Sequence, residues 1–255
     1  MKISSIDKKS LDKKKLSSIV SSFSDVKFTV FGDLILDEYL IGNPSRISRE
    51  APVIILKFLK SSFALGGSSN AANNAAALGA KVTLIGSLGD DIYKKEFEKL
   101  CKDSKIELKV LTDSKRPTTT KTRVISTSNK DPHAGTGIKQ QVLRIDREFS
   151  ADIDEESSKE LSKLLATALE DTDLVLLSDY SNGNLNHNNS QDLIELCTKA
   201  GKKTIIDSTG DLRKFKGAYS FTPNQPDLEA YLATTINSED ELFELANKAK
   251  IELQA

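Results

Sequence analysis

Short apolar runs alternate with stretches of helical periodicity along most of the chain. Residues 11–23 place Leu11, Leu16, Ile19, Val20 and Phe23 at helical spacing among Lys and Ser. The run 27–31 follows and ends at Gly32-Asp33, which predicts a buried strand reaching a turn. Residues 53–58 predict a strand after the boundary at Pro52. Gly66-Gly67 open an Ala- and Asn-rich helix over 68–78 that stops at Gly79. A strand over 81–85 and an amphipathic helix over 92–101 complete a first half in strand–helix rhythm, the pattern of a parallel α/β sheet.

Residues 116–146 break that rhythm. The segments 118–126 and 141–146 are β-like with no helix between them, and 129–137 is a polar loop holding Pro132. This predicts a small antiparallel excursion from the main sheet. Alternation then resumes: helix 154–169, strand 174–177, helix 188–200, strands 204–206 and 219–221, and helices near 227–232 and 239–250.

Composition narrows the class. The 255 residues are 38% hydrophobic and 29% charged, the profile of a globular chain long enough for a sizeable core. A formal net charge of -1 with no long basic run gives no footprint for nucleic acid; the cluster Lys8, Lys9, Lys13, Lys14, Lys15 reads as the solvated face of an N-terminal helix. No window is long and apolar enough to cross a bilayer, and Lys and Ser interrupt every short hydrophobic stretch before Phe28, so no signal core is expected. Cys101 and Cys197, each in a helical pattern beside apolar residues, read as reduced core thiols. Together these predict a cytoplasmic protein.

Ligands of open α/β sheets bind beyond the carboxyl ends of the strands, so polar residues that follow each apolar run are the first candidates. They are Asp33, Asp179, Asp207 and Asn224. Taken singly, each is also what a helix cap or turn uses. Gly66-Gly67 before a helix would let a ligand approach the backbone, and Asn70 and Asn74 lie one turn apart with amides suited to sugar hydroxyls. In Arg116-Pro117-Thr118-Thr119-Thr120-Lys121-Thr122-Arg123, the strand period places Lys121 and Arg123 on one face. Two adjacent cations call for a screening anion, such as a substrate phosphate; an edge strand guarded by cations explains them equally well.

At these residues the chain resembles the ribokinase-like (PfkB) carbohydrate kinases. The opening Gly32-Asp33-Leu34-Ile35-Leu36-Asp37-Glu38-Tyr39 and the stretch Leu65-Gly66-Gly67-Ser68-Ser69-Asn70-Ala71-Ala72 look like family-wide motifs. Ser45-Arg46-Ile47-Ser48-Arg49-Glu50-Ala51-Pro52-Val53, the Arg-Pro-Thr-Thr segment, Gln140-Gln141-Val142-Leu143-Arg144-Ile145-Asp146 and Ser178-Asp179-Tyr180 are more specific. They resemble the kinase half of the bifunctional heptose-phosphate kinase/adenylyltransferases. The resemblance runs from about Val26 to the end of the chain.

That resemblance implies a Rossmann-type sheet flanked by helices, with a small β-sheet lid built from about 39–58 and 116–146, all within one kinase domain over 1–255. It implies transfer of the γ-phosphoryl of ATP, with Mg²⁺, to a sugar or sugar phosphate. Asp33, Gly66, Gly67 and Asn70 would hold sugar hydroxyls. Lys121, Arg123 and Arg144 would face the sugar phosphate or the lid. Asp179, Asp207 and Asn224 would line the nucleotide site, and Asp227 would stand near the metal. A lid-mediated homodimer is a further expectation.

Departures accompany the resemblance. Ser181-Asn182-Gly183 stands where the family has Gly-Lys-Gly, and Asp207-Ser208-Thr209-Gly210 where it has Asp-Pro-Lys-Gly. Both changes remove a lysine near the nucleotide phosphates. The family's base, the Asp of a Gly-Ala-Gly-Asp motif, has no counterpart; Asp207-Ser208-Thr209-Gly210-Asp211 lacks the Gly-Ala-Gly run. The expectation is a C-terminally incomplete kinase domain whose base would lie beyond Ala255, and therefore weak catalysis by this chain. A kinase for another sugar, or a non-catalytic sugar-binding relative, are the alternatives.

Overall fold

The computed structural model describes residues 12–128 and 138–255. Its main sheet is six-stranded and runs β10-β9-β8-β1-β4-β5, from β1 (Lys27–Gly32), β4 (Lys81–Gly89), β5 (Glu107–Asp113), β8 (Leu174–Asp179), β9 (Lys203–Ser208) and β10 (Ser220–Phe221). Every neighbouring pair is parallel. The central strands are covered on both faces, so they appear in the sequence as apolar runs rather than alternations. Phe31, Ile85 and Leu177 pack against Leu161 and Leu165 of α4 (Glu155–Leu169) and Leu193 and Cys197 of α5 (Ser190–Lys199). Val30 and Leu84, one residue out of phase, pack against Ala72 of α2 (Ser68–Ala77) and Phe97 and Cys101 of α3 (Ile92–Asp103). Both cysteines are free and buried, and burial pushes each thiol up to about 12.

The excursion is a second sheet of order β3-β2-β6-β7, from β2 (Leu34–Ile47), β3 (Ile54–Gly67), β6 (Thr120–Thr127) and β7 (Lys139–Arg147). It is larger than the sequence suggests. Gly32-Asp33 is not a turn that ends the chain's run: β2 starts at Leu34, one residue after β1 and Asp33. The strand expected over 53–58 continues to the diglycine. β5 escaped prediction because it is an edge strand with charged Glu107 and Lys109 between its apolar residues. The expected loop 129–137 lies outside the described residues.

Register sorts the second sheet into two faces. Asp37 and Tyr39 share one with Lys121, Arg123, Arg144 and Asp146. Leu40 shares the other with Val124, Leu143 and Phe58. Leu143 is 54% and Phe58 67% exposed.

At the amino end, α1 (Lys13–Ser21) has no buried residue, consistent with lysines on a solvated helix. At the other end, α6 (Gln225–Leu232) and α7 (Glu239–Leu253) carry a small core of Leu228, Ile236 and Ala249. A cavity of about 930 Å³ opens between α7 and the β10 edge, lined by residues such as Phe221, Leu228 and Leu253. Neither the diglycine nor Asp37 lines it, and nor does any candidate site residue named from the sequence. Among the described residues no helix is long and apolar enough to span a membrane.

Candidate functional site

The strand-end residues named from the sequence do not all offer side chains that a ligand can reach. Asp33 is fully buried. Its Oδ2 accepts from the backbone N–H of Tyr180 at 2.7 Å and of Asn182 at 3.1 Å. Its Oδ1 accepts from the N–H of Asn184 at 3.2 Å and its Nδ2 at 3.1 Å. The carboxylate that the resemblance assigns to sugar hydroxyls here organises the loop after β8. Burial pushes its pKa up, the N–H donors of Asn182 and Tyr180 oppose that, and nearby Asp179 adds to it.

Asp179, expected at the nucleotide site, is likewise turned inward. It too is fully buried, accepting from Ser181 N–H at 3.0 Å and from the Ser208 hydroxyl at 2.6 Å. Lys214 reaches it at 2.8 Å, with side-chain exposures of 8% and 0%. Lys214 had no signal in spacing or motif, yet it puts a buried cation at these strand ends. Asn182 and Thr209 occupy the positions where the resemblance places lysines; Asn182 is buried, held by Asp33, and Thr209 is exposed.

A carboxylate with a more open aspect is Asp37, four residues beyond Asp33. It lies on β2 and is 18% exposed. Across the ladder Arg123 Nη1 donates to its Oδ1 at 2.5 Å, which raises the guanidinium pKa, chiefly through that bond. Gly66 explains itself here: a Cβ on it would stand 3.0 Å from the Asp37 carboxylate. Gly67 has φ +54°, the left-handed region that favours glycine, and leads straight into α2. Asn70, in the first turn of that helix, is exposed. Strand, diglycine and helix start thus present a carboxylate, close-packed backbone and an amide at one junction.

The cations of the second sheet are screened from within. Lys121 lies 3.7 Å from Asp146 and 3.8 Å from Glu148. Arg144 grips Asp146 with two bonds of 2.8 Å. β6 is interior to its sheet, so Lys121 and Arg123 are not edge guards. Arg144, 49% exposed on the edge strand β7, keeps the most solvent access of the three.

Tyr180, half-buried after β8, belongs to the rim as well. Burial raises its phenol pKa, with the carboxylates of Asp207 and Asp37 adding to the shift. Asp207 is partly exposed and accepts only a long 3.4 Å bond from Thr222. Asn224 and Asp227 form a reciprocal capping box at the start of α6, at 2.9 and 3.3 Å. Asp227, which the resemblance places near the metal, directs its polar contacts to the cap. Among the described residues no group of three or more His, Cys, Asp or Glu could hold an ion.

Comparison with known proteins agrees with this architecture. Residues 27–254 match the model of the pfkB family carbohydrate kinases. The bifunctional protein HldE of Desulfatibacillum aliphaticivorans is 37% identical over 246 residues, 91% of this chain and 47% of that protein. That of Sulfurimonas denitrificans is 39% identical over 224 residues, 87% of this chain and 44% of that protein. The chain thus spans less than half the length of these curated relatives. Among solved structures, the tetrameric inhibited form of phosphofructokinase-2 from Escherichia coli superimposes with TM-score 0.67 at 18% identity, over 89% of this chain and 70% of that one. A carbohydrate kinase from Agrobacterium tumefaciens gives 0.60 at 16% identity, over 87% and 67%. With the parallel sheet, the smaller second sheet and the match over 27–254 in hand, the chain belongs to the pfkB family of carbohydrate kinases.

Proposed function

We propose that this chain is the sugar-phosphate-binding part of a heptose 7-phosphate kinase. The observation that carries it is the junction of Asp37, Arg123, Gly66-Gly67 and Asn70 where the second sheet meets the main one. Asp37 accepts hydrogen bonds from sugar hydroxyls, Asn70 exchanges them, and the diglycine lets the ring lie close to backbone. Arg144 and Lys121, on the same face of the second sheet, attract the sugar's phosphate. The Arg-Pro-Thr-Thr and Gln-Val-Leu-Arg-Ile-Asp segments and the relatives named HldE favour a heptose phosphate over other sugars. The second sheet acts as a lid, in a cytoplasmic protein, and its exposed apolar face around Leu143 and Phe58 pairs with that of a second copy.

The co-substrate is ATP with its Mg²⁺, lying on the Asp207 and Asn224 side of the rim. In the reaction a sugar oxygen bonds to the γ-phosphorus as the bond to ADP breaks, and the hydroxyl proton needs an acceptor. The sequence holds no Gly-Ala-Gly-Asp stretch to supply one. A positioned base contributes ~10²–10⁴-fold, so binding and turnover separate: sugar phosphate binds, and phosphoryl transfer is negligible. Coupled ATP turnover with heptose 7-phosphate and Mg²⁺ tests this. Rates of ~1–100 s⁻¹ would overturn it and direct mutagenesis to Asp211 and Asp207.

A further inference from the structure

Four chain segments cross between the main sheet and the second sheet. Backbone groups anchor three of them. Asp33 N–H donates to Ser178 O at 3.1 Å where β1 passes into β2, and Ser68 N–H donates to Asp33 O at 3.3 Å where β3 passes into α2. The entry to β6 is held at Thr118, whose N–H donates to Asp91 Oδ2 at 2.8 Å and whose hydroxyl accepts from Gly89 N–H at 3.1 Å. Leu36 N–H adds a bond to Thr119 O at 2.9 Å.

The fourth crossing, from the end of β7 towards α4, is held differently. Residues 148–150 have no regular structure. Arg116, at the anchored entry to β6, donates through Nη2 to Phe149 O at 2.9 Å. The same nitrogen donates to Asn182 O in the loop after β8. Its guanidinium lies 5.1 Å from the centre of the Phe149 ring. Further along, Ile153 N–H reaches Gly183 O at 3.1 Å. The neighbouring pairs Lys121–Glu148 and Lys115–Asp154 join partly exposed groups, and such pairs contribute little.

The far side of the connection is stiff. Asn182 is held by its N–H on Asp33, as are Tyr180 and Asn184. One planar side chain therefore joins the strand entering the second sheet, the strand leaving it, and the loop that presents Tyr180. Arg116 Nη1 and Asn182 Nδ2 are both buried without a hydrogen-bond partner. Burial lowers the Arg116 pKa while Asp113 and Asp33 oppose that. Such a group persists where its position is imposed by what it connects.

We infer that Arg116 is a positioning residue, the pin that couples movement of the second sheet to the loop at 180–184. The connection does not depend on which sugar binds, so it stands or falls apart from the proposed function. Backbone hydrogen exchange of the unliganded protein tests it. In Arg116→Ala, exchange is expected to rise about tenfold in both 139–149 and 180–184, because charge-assisted bonds are lost there, with the β1, β4 and β8 amides unchanged. Leu161→Ala, which opens the fully buried core under α4, is the control for general destabilisation. Arg116→Lys keeps the charge without the planar fork, and is expected to fall between wild type and Arg116→Ala. Three results would overturn the inference: wild-type exchange in Arg116→Ala, the Leu161→Ala profile in Arg116→Ala, or wild-type exchange in Arg116→Lys. Should Arg116→Ala fail to fold, Arg116→Lys alone decides.

Discussion

Asp37 and Arg123 meet across the parallel β2–β6 ladder, carboxylate oxygen to guanidinium nitrogen at 2.5 Å, with side chains 18% and 23% exposed. The pair is open enough to exchange a partner for a ligand and buried enough for the exchange to matter. Arg123→Ala should weaken sugar-phosphate binding by about tenfold and leave Asp37 without its partner. A double-mutant cycle with Asp37→Ala should give strong coupling, and additive losses would separate the two residues.

Asp33 should behave as a residue of the fold. Asp33→Asn puts an amide against N–H donors at a fully buried position. We expect a loss of about 1–3 kcal/mol in denaturant unfolding, the cost of leaving a buried donor without its acceptor. Wild-type stability with lost ligand binding would instead return Asp33 to the ligand site.

The cations of the second sheet should discriminate by charge. Arg144→Ala and Lys121→Ala should weaken binding of a sugar phosphate and leave a neutral sugar nearly unaffected. Both cations already face Asp146, so each single substitution should cost less than about tenfold. Equal effects on charged and neutral sugars, measured by calorimetry, would contradict a phosphate-facing role.

A pH effect on stability should come from the start of α4. Asp154 caps the helix through Ser157 N–H and meets Lys115, which together hold its carboxyl down to about 2 from 3.8. A depressed carboxyl stabilises the fold above its unfolded pKa and loses that contribution as pH falls towards the folded one. Between pH 3.8 and about 2, the wild type should therefore lose an increment of Tm that Asp154→Ala has already lost. Parallel Tm curves for the two proteins over that window would refute the effect.

How far the sequence alone reaches can be judged residue by residue. β1, β4, β8 and β9 were readable because central strands of a parallel sheet are apolar on both faces. β5 was not, because an edge strand keeps charges between its apolar positions. The strand-end rule singled out Asp33 and Asp179 by their place in the chain, yet a residue's place says nothing of where its oxygens point. Both turn inward, onto loop N–H groups, Ser208 and Lys214. Asp37 was not among the sequence candidates because it sits inside a strand that the Gly32-Asp33 pair disguised as a turn. The available signal was the second apolar run, Leu34-Ile35-Leu36, with a carboxylate at its end. Gly66 was noticed as a ligand-approach glycine, and part of its reason is internal: the Asp37 carboxylate lies against it.

The most direct test of the sugar-phosphate site is calorimetric titration of heptose 7-phosphate, without nucleotide, into the wild-type chain and into Asp37→Ala. We predict saturable one-to-one binding to the wild type and a loss of at least about tenfold in Asp37→Ala, with its unfolding midpoint little changed. Absence of binding to the folded wild type, or equal affinity in the two proteins, would contradict the site at Asp37.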